Sequence, residues 1–480
     1  QGAMVSCGTG LGKSGIDPVK HLLGWWNRIW QGWRQDRLLQ AVMRNTGYLF
    51  SGNTLSMVIT SLMGLLTAVM LGAAGYGELG MIVMYASSVN RLFSFRMGEV
   101  VIKYAGQHLA LGERHQASAV IKTAAVVEAV TSLFAYLLLV ITAPAAAFYI
   151  IKDPQAAPLI IFYGISLLGS LVAETSAATL QLGGHYRTQA VLTLAQSLLT
   201  AALIVVAFIL HGELVAVLAA YLAGKLVLGL GSAGMALYWM RSLLGEGWQQ
   251  TPFHLSINRR EMARFAISTN LSSTINLVIR DSEVLWVGFF LSKVEAGYYK
   301  FALALMNVIL MPITPFITTT FPEITRSVAQ KSWRRLRDLM QRTSMVAAAW
   351  TLACGVGILL FGNWALTLLK NGEFLPSYPA ILILLLGFGT ANVFFWNRPL
   401  LLAFGKPNYP LLVTALVGAL KTLLMFILVR PYGFLAQAAL MSSYFIVSVS
   451  LIVRKGWIMM KGEEALSLRE NEMGILTNGH

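Results

Sequence analysis

The stretch SSTINLVIRDSEVLWVGFF, residues 272–290, has the length and apolar content of a membrane-spanning helix. Three ionisable residues interrupt it: Arg280, Asp281 and Glu283. Each such charge costs about 2.5–3.5 kcal/mol at the centre of a bilayer, so charged residues within a span face protein or water rather than lipid. The stretch therefore predicts a polytopic helical membrane protein with a polar interior.

The polar residues of this stretch and of the turn before it recur at intervals of three or four, which places them on one helical face. This stripe contains Thr269, Ser273, Asn276, Arg280 and Glu283. Asp281 lies about 100° further round the helix. We expect the stripe to face a cavity or a helix–helix contact, with Arg280 and Glu283 as a candidate ion pair.

The composition supports the same class. The 480 residues are 56% hydrophobic and only 12% charged, which excludes an ordinary soluble domain. Apolar runs of spanning length recur along the whole chain. We predict twelve spans: 47–72, 77–103, 117–142, 156–182, 186–210, 214–240, 265–291, 295–321, 343–368, 378–403, 409–429 and 433–456.

The net charge of +15 is unevenly distributed between the loops. Most Lys and Arg residues fall in one alternating set of loops and in both tails, whereas the other set holds only Lys152, Lys293, Lys370 and Arg430. By the positive-inside rule, both termini are cytoplasmic. The basic residues are then interpreted as facing lipid headgroups, and we expect no nucleic-acid partner.

Three pairs of short motifs repeat at an offset of 220 or 221 residues, in register with the predicted spans. The paired glycines are Gly77 with Gly297, Gly184 with Gly405, and Gly212 with Gly433. Six spans separate the two members of each pair, so the halves have the same orientation and form a parallel repeat. Two six-helix lobes around a central cavity are typical of transporters with alternating access.

The repeat divides the chain into five parts. A cytoplasmic tail carries an interfacial amphipathic helix rich in tryptophan, a cytoplasmic linker joins the lobes, and a second tail ends the chain. The predicted boundaries are 1–43 for the first tail, 44–243 for the first lobe, 244–262 for the linker, 263–457 for the second lobe and 458–480 for the last tail.

Among the Lys and Arg residues within the predicted spans, the candidates are Arg91, Arg96, Lys225, Arg280, Lys300, Arg398 and Lys421. Arg91, Lys225 and Lys421 lie near mid-span and have no acid within a turn of their own helix, which indicates a role in binding an anionic ligand. Lys300 and Arg398 lie nearer the ends of their helices, where long side chains reach water. Arg96 has Glu99 as a neighbour on the same helix.

Other polar residues complete the candidate site. Asn90 precedes Arg91, and Asn392 and Asn397 lie in a glycine-rich span. Pro312 and Pro315 fall within one span and predict a hinge. The candidates for counter-charge or for coupling to H⁺ or Na⁺ are Asp281, Glu283, Glu99 and Glu174. The seven histidines show no metal-binding spacing, so we expect neither a metal nor a cofactor.

Twelve spans in a parallel repeat, the sequence GYY at 297–299, and the turns GGHYR at 183–187 and GKPN at 405–408 resemble the multidrug/oligosaccharidyl-lipid/polysaccharide (MOP) exporter superfamily. Within it, the chain looks like the polysaccharide flippases of the Wzx type. The resemblance covers roughly residues 41–457 and implies a MATE-like fold. It also implies translocation of an undecaprenyl-diphosphate-linked oligosaccharide across the bacterial inner membrane, for O-antigen or a similar surface polysaccharide.

That resemblance gives roles to individual residues. Arg91 and Arg280 would attract the diphosphate, with Lys225 and Lys421 as weaker candidates, while the lipid tail stays in the bilayer. Other polysaccharide-assembly membrane proteins would be further partners. An ion-coupled multidrug exporter of the same superfamily is one alternative, although the first span lacks an acid. A membrane-embedded glycan polymerase or ligase is another, although no large external loop is present.

Overall fold

The computed structural model describes residues 37–93, 95–252 and 259–477. Within these ranges the chain is helical apart from turns and short bends, and no β-strand occurs there. The predicted all-helical class is therefore confirmed. Most of the predicted interfacial helix in the first tail lies outside the described residues, whereas the last tail continues as a helix as far as Thr477.

The first lobe is built from helices that are interrupted at several points within the membrane-spanning segments. They are α1 (Arg37–Phe93), α2 (Met97–Val100), α3 (Gly106–Ala110), α4 (Arg114–Ala146), α5 (Ala157–Gly169), α6 (Ala173–Leu182), α7 (Tyr186–Ile209) and α8 (Leu214–Leu244). A π turn joins α2 to α3, and another extends α4. Helix α7 packs on α1 and α8, and α5 packs on α4.

The second lobe repeats this arrangement. Its helices are α9 (Arg259–Asn276), α10 (Glu283–Phe290), α11 (Lys293–Leu310), α12 (Thr314–Ala329), α13 (Trp333–Leu368), α14 (Tyr378–Val393), α15 (Asn397–Ala403) and α16 (Asn408–Thr477). Helix α14 packs on α16, α13 and α11. Most helix ends fall within a few residues of the predicted spans.

Nine helical segments in the described ranges are long and apolar enough to cross a membrane. Two of them, Gly52–Ala110 and Asn408–Leu466, contain 59 residues each, about three times the length of one crossing. Each bends at a glycine with positive φ, Gly72 at 72° and Gly433 at 71°, a conformation that favours glycine. The chain is thus a multi-pass membrane protein.

Both bends reverse the chain direction. The Tyr76 hydroxyl group approaches Gly64, and Lys421 Nζ lies 3.7 Å from the Met441 sulfur, although many residues separate the members of each pair. Each long segment therefore supplies two antiparallel arms. With the interrupted α9–α10 segment these arms are compatible with the twelve predicted crossings, and that number stays a prediction.

A buried acid of the first lobe stabilises one of the helix breaks. The Glu128 carboxylate accepts hydrogen bonds from the backbone N–H groups of Glu174 and Thr175, both at 2.9 Å. These donors lie in the first turn of α6, where no intrahelical acceptor exists. Glu128 therefore caps a helix that begins inside a membrane-spanning segment.

The predicted repeat is visible in the backbone. Gly184 and Gly405 both have positive φ, 73° and 67°, in the turns after α6 and α15. In each turn the residue after the glycine donates its N–H to a carbonyl five positions earlier, at 2.8 Å for His185 and 2.9 Å for Lys406. This is the glycine-terminated helix end expected at equivalent positions of two repeats.

The lobes meet where Gly77 of α1 crosses Gly297 of α11. A Cβ atom at Gly77 would overlap the Lys293 carbonyl oxygen, and one at Gly297 would overlap the Ala73 carbonyl oxygen. Each carbonyl belongs to the residue four positions before the facing glycine, so the contact is reciprocal. Because these glycines are repeat equivalents, the crossing lies on the pseudo-twofold axis, where the missing side chains allow close backbone approach.

Charged residues flank this crossing and define what we name the closed end. Lys293 Nζ lies 3.0 Å from Asp153 Oδ2 and 3.4 Å from Glu78 Oε2. The hydrogen bond from Lys293 holds the pKa of Asp153 below its ordinary value, so this contact is present at neutral pH and weakens on acidification. The sequence predicts that Lys300 reaches water. Instead, its Nζ donates a hydrogen bond to the Tyr76 carbonyl oxygen at 3.1 Å and lies 3.8 Å from the centroid of the Tyr76 ring.

Replacing Gly77 with alanine should weaken the lobe contact. In an unhindered helix this change stabilises by about 1 kcal/mol, whereas here the methyl group meets a backbone carbonyl that cannot move alone. We expect a lower unfolding temperature for the detergent-purified protein. Gly357→Ala is the matched control, because nothing lies within 4 Å of its Cβ position. An unfolding temperature for Gly77→Ala equal to or above that of Gly357→Ala would contradict the crossing.

Candidate functional site

The charged stretch of the predicted seventh span is not a continuous α-helix. Helix α9 ends at Asn276, a π turn covers Leu277–Asp281, and α10 begins at Glu283 after a non-helical Ser282. A π turn inserts a residue into the helical repeat, and such turns occur frequently at functional sites. The residues after it are rotated by about 100° relative to an unbroken helix.

The predicted polar stripe does not form one continuous surface, and the π turn separates Arg280 from Glu283. Asn276 and Arg280 are exposed to a cavity, whereas Ser273 and Glu283 are buried in protein. Arg280 forms no ion pair with any acid in the described ranges, so its predicted pairing with Glu283 is wrong. The prediction assumed a regular α-helix, and the residue that the π turn inserts changes the helical position of Glu283 relative to Arg280.

Arg280 lines a cavity of about 540 Å³ inside the second lobe, which we name the arginine cavity. The π turn, the α11–α12 junction, α14, α15 and both arms of α16 contribute to its wall. Polar and charged side chains of this wall include Asn276, Arg280, Asn392, Asn397, Arg398 and Tyr444. Its volume lies within the range of small-molecule sites.

The charge of the arginine cavity has one sign. Arg280 and Arg398 both line it, and no Asp or Glu belongs to its described wall. The Arg280 guanidinium carbon lies 5.4 Å from the ring centroid of Phe445, a cation–π contact that orients the group and leaves its N–H donors available. Two arginines without a carboxylate suit a phosphate or another oxyanion.

Three elements of the cavity wall are interrupted at the level of the cavity. The π turn carries Arg280, a 3₁₀ turn at Met311–Ile313 separates α11 from α12, and α14 ends at Val393 just before α15. Irregular backbone inside a membrane is tolerated where it lines a water-filled cavity. Pro312 lies in the second break and Pro315 in the first turn of α12, so the prolines mark a real break, and their hinge role stays a prediction.

Lys421 lies outside the arginine cavity. It is 4% exposed and forms an ion pair with Glu283, which is 2% exposed. Lys421 Nζ also donates to the Ile279 carbonyl at 2.5 Å, while Tyr299 and Gln437 donate to Glu283 Oε2 at 2.5 and 2.7 Å. The spacing of residues does not reveal this pairing, because Lys421 and Glu283 are distant in sequence. Lys421 is therefore positioned to stabilise the π turn.

Arg91 also has an acidic partner. It forms an ion pair with Asp281 across the two lobes, and the two side chains are 45% and 37% exposed. The carbonyl of the next residue, Leu92, accepts a hydrogen bond from Asn270 Nδ2 at 3.0 Å. Arg91 has no acidic partner on its own helix, as predicted, but it has one in the other lobe.

The remaining predicted residues are dispersed. Lys225 is exposed on α8 and forms no ion pair with described residues, and Asn90 is half-buried beside Arg91. Glu99 pairs with Arg96 at 2.6 Å, as predicted from their spacing. Glu174 lies in the first turn of α6. The four mid-span cations thus do not share one cavity, and their roles in binding stay predictions.

Arg398 lines the arginine cavity, although its sequence position did not make it a candidate for the site. Its position near a helix end predicts contact with water, and its side chain is exposed in the arginine cavity, after the break between α14 and α15. Asn392 and Asn397 were correctly proposed as lining residues. Among the residues that the structure describes, no three His, Cys, Asp or Glu side chains come together as a metal site.

Residues 42–328 match the protein family described as polysaccharide biosynthesis protein. The chain belongs to this family. No curated protein matches the chain.

Solved structures show the fold of this polysaccharide biosynthesis protein. A MATE family multidrug transporter of the MOP superfamily, in an inward-facing conformation, aligns with a TM-score of 0.63 and 14% identity, over 85% of this chain and 96% of its own. The lipid II flippase MurJ, inward closed, aligns with a TM-score of 0.67 and 12% identity, over 89% and 92%.

A third structure, a MOP superfamily transporter from Pyrococcus furiosus, aligns with a TM-score of 0.60 and 12% identity, over 88% of this chain and 96% of its own. The family member described here therefore has the MOP superfamily fold, as its sequence predicts. The matched family describes a polysaccharide biosynthesis protein, and the fold is one that a multidrug transporter and a lipid II flippase also have.

Removing one member of the buried Lys421–Glu283 pair should destabilise this protein. Lys421→Met leaves a carboxylate uncompensated in the protein interior, at a cost of about 3–5 kcal/mol. Thermal unfolding in detergent measures the loss. The double variant Lys421→Met/Glu283→Gln removes both charges and should recover most of the stability. Equal unfolding temperatures for the single and double variants would argue against the pair.

Proposed function

We propose that this protein is a flippase that moves an undecaprenyl-diphosphate-linked oligosaccharide from the cytoplasmic to the outer leaflet of the bacterial inner membrane. The single observation that carries the proposal is the arginine cavity, which presents Arg280 and Arg398 without an opposing carboxylate in its described wall. A diphosphate is the part of such a lipid that two arginines bind best.

The position of the arginine cavity supports entry of the substrate from the cytoplasmic side. It reaches Pro407 and Asn408, at the end of the second lobe opposite the closed end. The closed end carries Lys152, Lys293 and Lys370, which the positive-inside rule assigns to external loops. The conformation is therefore interpreted as open towards the cytoplasm, with both termini on that side and the external side sealed by the glycine crossing.

A multidrug exporter of the same superfamily is the second candidate. Its support is the fold alone, which MATE transporters share. A cationic drug, however, would meet two like charges in the arginine cavity, and burying like charges together is unfavourable. The cavity therefore favours an anionic substrate.

The proposal predicts the effect of removing the cavity charge. Arg280→Ala should reduce the initial rate of translocation at least tenfold, because charge-assisted hydrogen bonds to the diphosphate are lost. Arg398→Ala should act in the same direction, and Arg280→Lys should retain part of the rate. The measurement is the translocation of a fluorescent undecaprenyl-diphosphate oligosaccharide in proteoliposomes, followed by quenching from outside.

Arg241→Ala is the control for this experiment. Its side chain is 74% exposed at the end of α8 and pairs with the exposed Glu246, so its removal should leave the rate unchanged. Wild-type rates in both Arg280→Ala and Arg398→Ala, at equal amounts of folded protein, would refute the assignment of the cavity.

Coupling to H⁺ or Na⁺ is part of the proposal, and Asp281 is its best candidate. Glu283 is buried and paired with Lys421, and Glu99 pairs with Arg96 within one lobe. Asp281 pairs with Arg91 across the lobes, so a change in its charge acts on the contact between them. Asp281→Asn should therefore change the pH dependence of translocation in the same proteoliposomes. An unchanged pH profile would remove Asp281 as a coupling group and leave the flippase assignment intact.

A further inference from the structure

We propose that a groove between the lobes holds the hydrocarbon chain of a polyprenyl diphosphate, whose phosphate displaces Asp281 from Arg91. This inference rests on the proposed function for the identity of the lipid. It assigns a chain-binding site to a surface separate from the arginine cavity and gives the Arg91–Asp281 pair a role in admitting the substrate.

The groove has the shape and lining of a site for a chain. Its volume is about 580 Å³, and both lobes contribute to it, the first through α1 and α4 and the second through the π turn and α10. No charged side chain belongs to its described wall. Representative lining residues are Val89, Ala145, Tyr149, Leu285, Trp286 and Phe289.

The Arg91–Asp281 pair flanks the groove. Leu92 and Ser282, the next residues after the two charged ones, are part of its wall. Both charged side chains are partly exposed, so a ligand can approach the guanidinium without unfolding a helix. A phosphate competes with a carboxylate for the same donors and, like it, can be bound through two N–H groups.

Polar atoms in the wall lack partners. The Ser88 hydroxyl and the Trp286 indole N–H are buried and have no hydrogen-bond partner among the described residues, and Ser88 is only 8% exposed. Buried polar groups normally have a partner, and within a membrane no bulk water supplies one. These two atoms are not accessible from the groove, so the exposed Arg91 guanidinium is the group that contacts an anionic end of an apolar chain.

Displacement of Asp281 from Arg91 would change the contact between the lobes, because α1 meets α9 and the π turn here. Arg91 and Leu92 of α1 contact Asp281 and Asn270 of the second lobe, so the ion pair helps to close the lobes along this line. When a phosphate takes Arg91, the link between the lobes is lost while the charge of Arg91 stays compensated. An anionic lipid would thus open its own path between the groove and the interior, whereas a neutral lipid would not.

The test uses full-length protein in phosphatidylcholine nanodiscs and radiolabelled geranylgeranyl diphosphate, with binding to empty nanodiscs subtracted. Ala145→Trp fills the groove from an exposed position on α4 and should raise the dissociation constant at least tenfold. Arg91→Gln should do the same for the diphosphate and have no effect on geranylgeraniol, which lacks the phosphates. Ala202→Trp, at an exposed position of α7, and Arg241→Gln are the controls and should bind as wild type.

Asp281→Asn separates ligand competition from a purely structural ion pair. If Asp281 competes with the phosphate, its neutralisation tightens binding of the diphosphate. If the pair only holds the lobes together, Asp281→Asn and Arg91→Gln weaken binding alike, and the proposal is overturned. Wild-type affinity in Ala145→Trp would overturn it as well.

Arg280→Ala distinguishes this inference from the proposed function. Groove binding should survive that change even though translocation is lost. Binding that is abolished by Arg280→Ala and insensitive to Ala145→Trp and Arg91→Gln would assign the lipid to the arginine cavity alone, which rejects the groove and keeps the flippase. Groove binding that persists with wild-type translocation in Arg280→Ala and Arg398→Ala would reject the cavity instead.

Discussion

The buried ion pair between Lys421 and Glu283 is the interaction on which the second lobe depends. A charge in this environment needs a partner, and the partner lies on a helix far away in sequence. Lys421 also donates to the Ile279 carbonyl inside the π turn. One ammonium group therefore fixes the break in the seventh span, and that break turns Arg280 towards the cavity and Asp281 towards the first lobe.

A second constraint acts between the lobes. The reciprocal contact of Gly77 and Gly297 brings two backbones together at the closed end, and the contacts of Lys293 and Lys300 surround it. Further from that end the lobes meet through the Arg91–Asp281 ion pair and through apolar packing of α2 against α9 around Met97 and Ala266. The glycine contact is fixed by close backbone approach, whereas the partly exposed ion pair can exchange one partner for another ion.

Much of the fold could be predicted from the sequence. The length of each apolar span and the offset between the repeats can be read without knowing which helices contact each other. The end of α14–α15 at Ala403, the bends at Gly72 and Gly433 and the pairing of Gly184 with Gly405 all follow from span lengths and motif spacing. The site was harder to predict. Ion-pair partners of Arg91 and Lys421 were sought on their own helices, and the real partners are on others.

The sequence by itself determined that this is a duplicated helical membrane protein with arginines and lysines in its interior, because burying charge in hydrocarbon is too costly without a purpose. Only the tertiary structure decided which of those charges are paired and which face a cavity. The physical reason is that pairing depends on distances between helices, and a single π turn rotates Glu283 away from Arg280 without leaving a trace in the residue spacing.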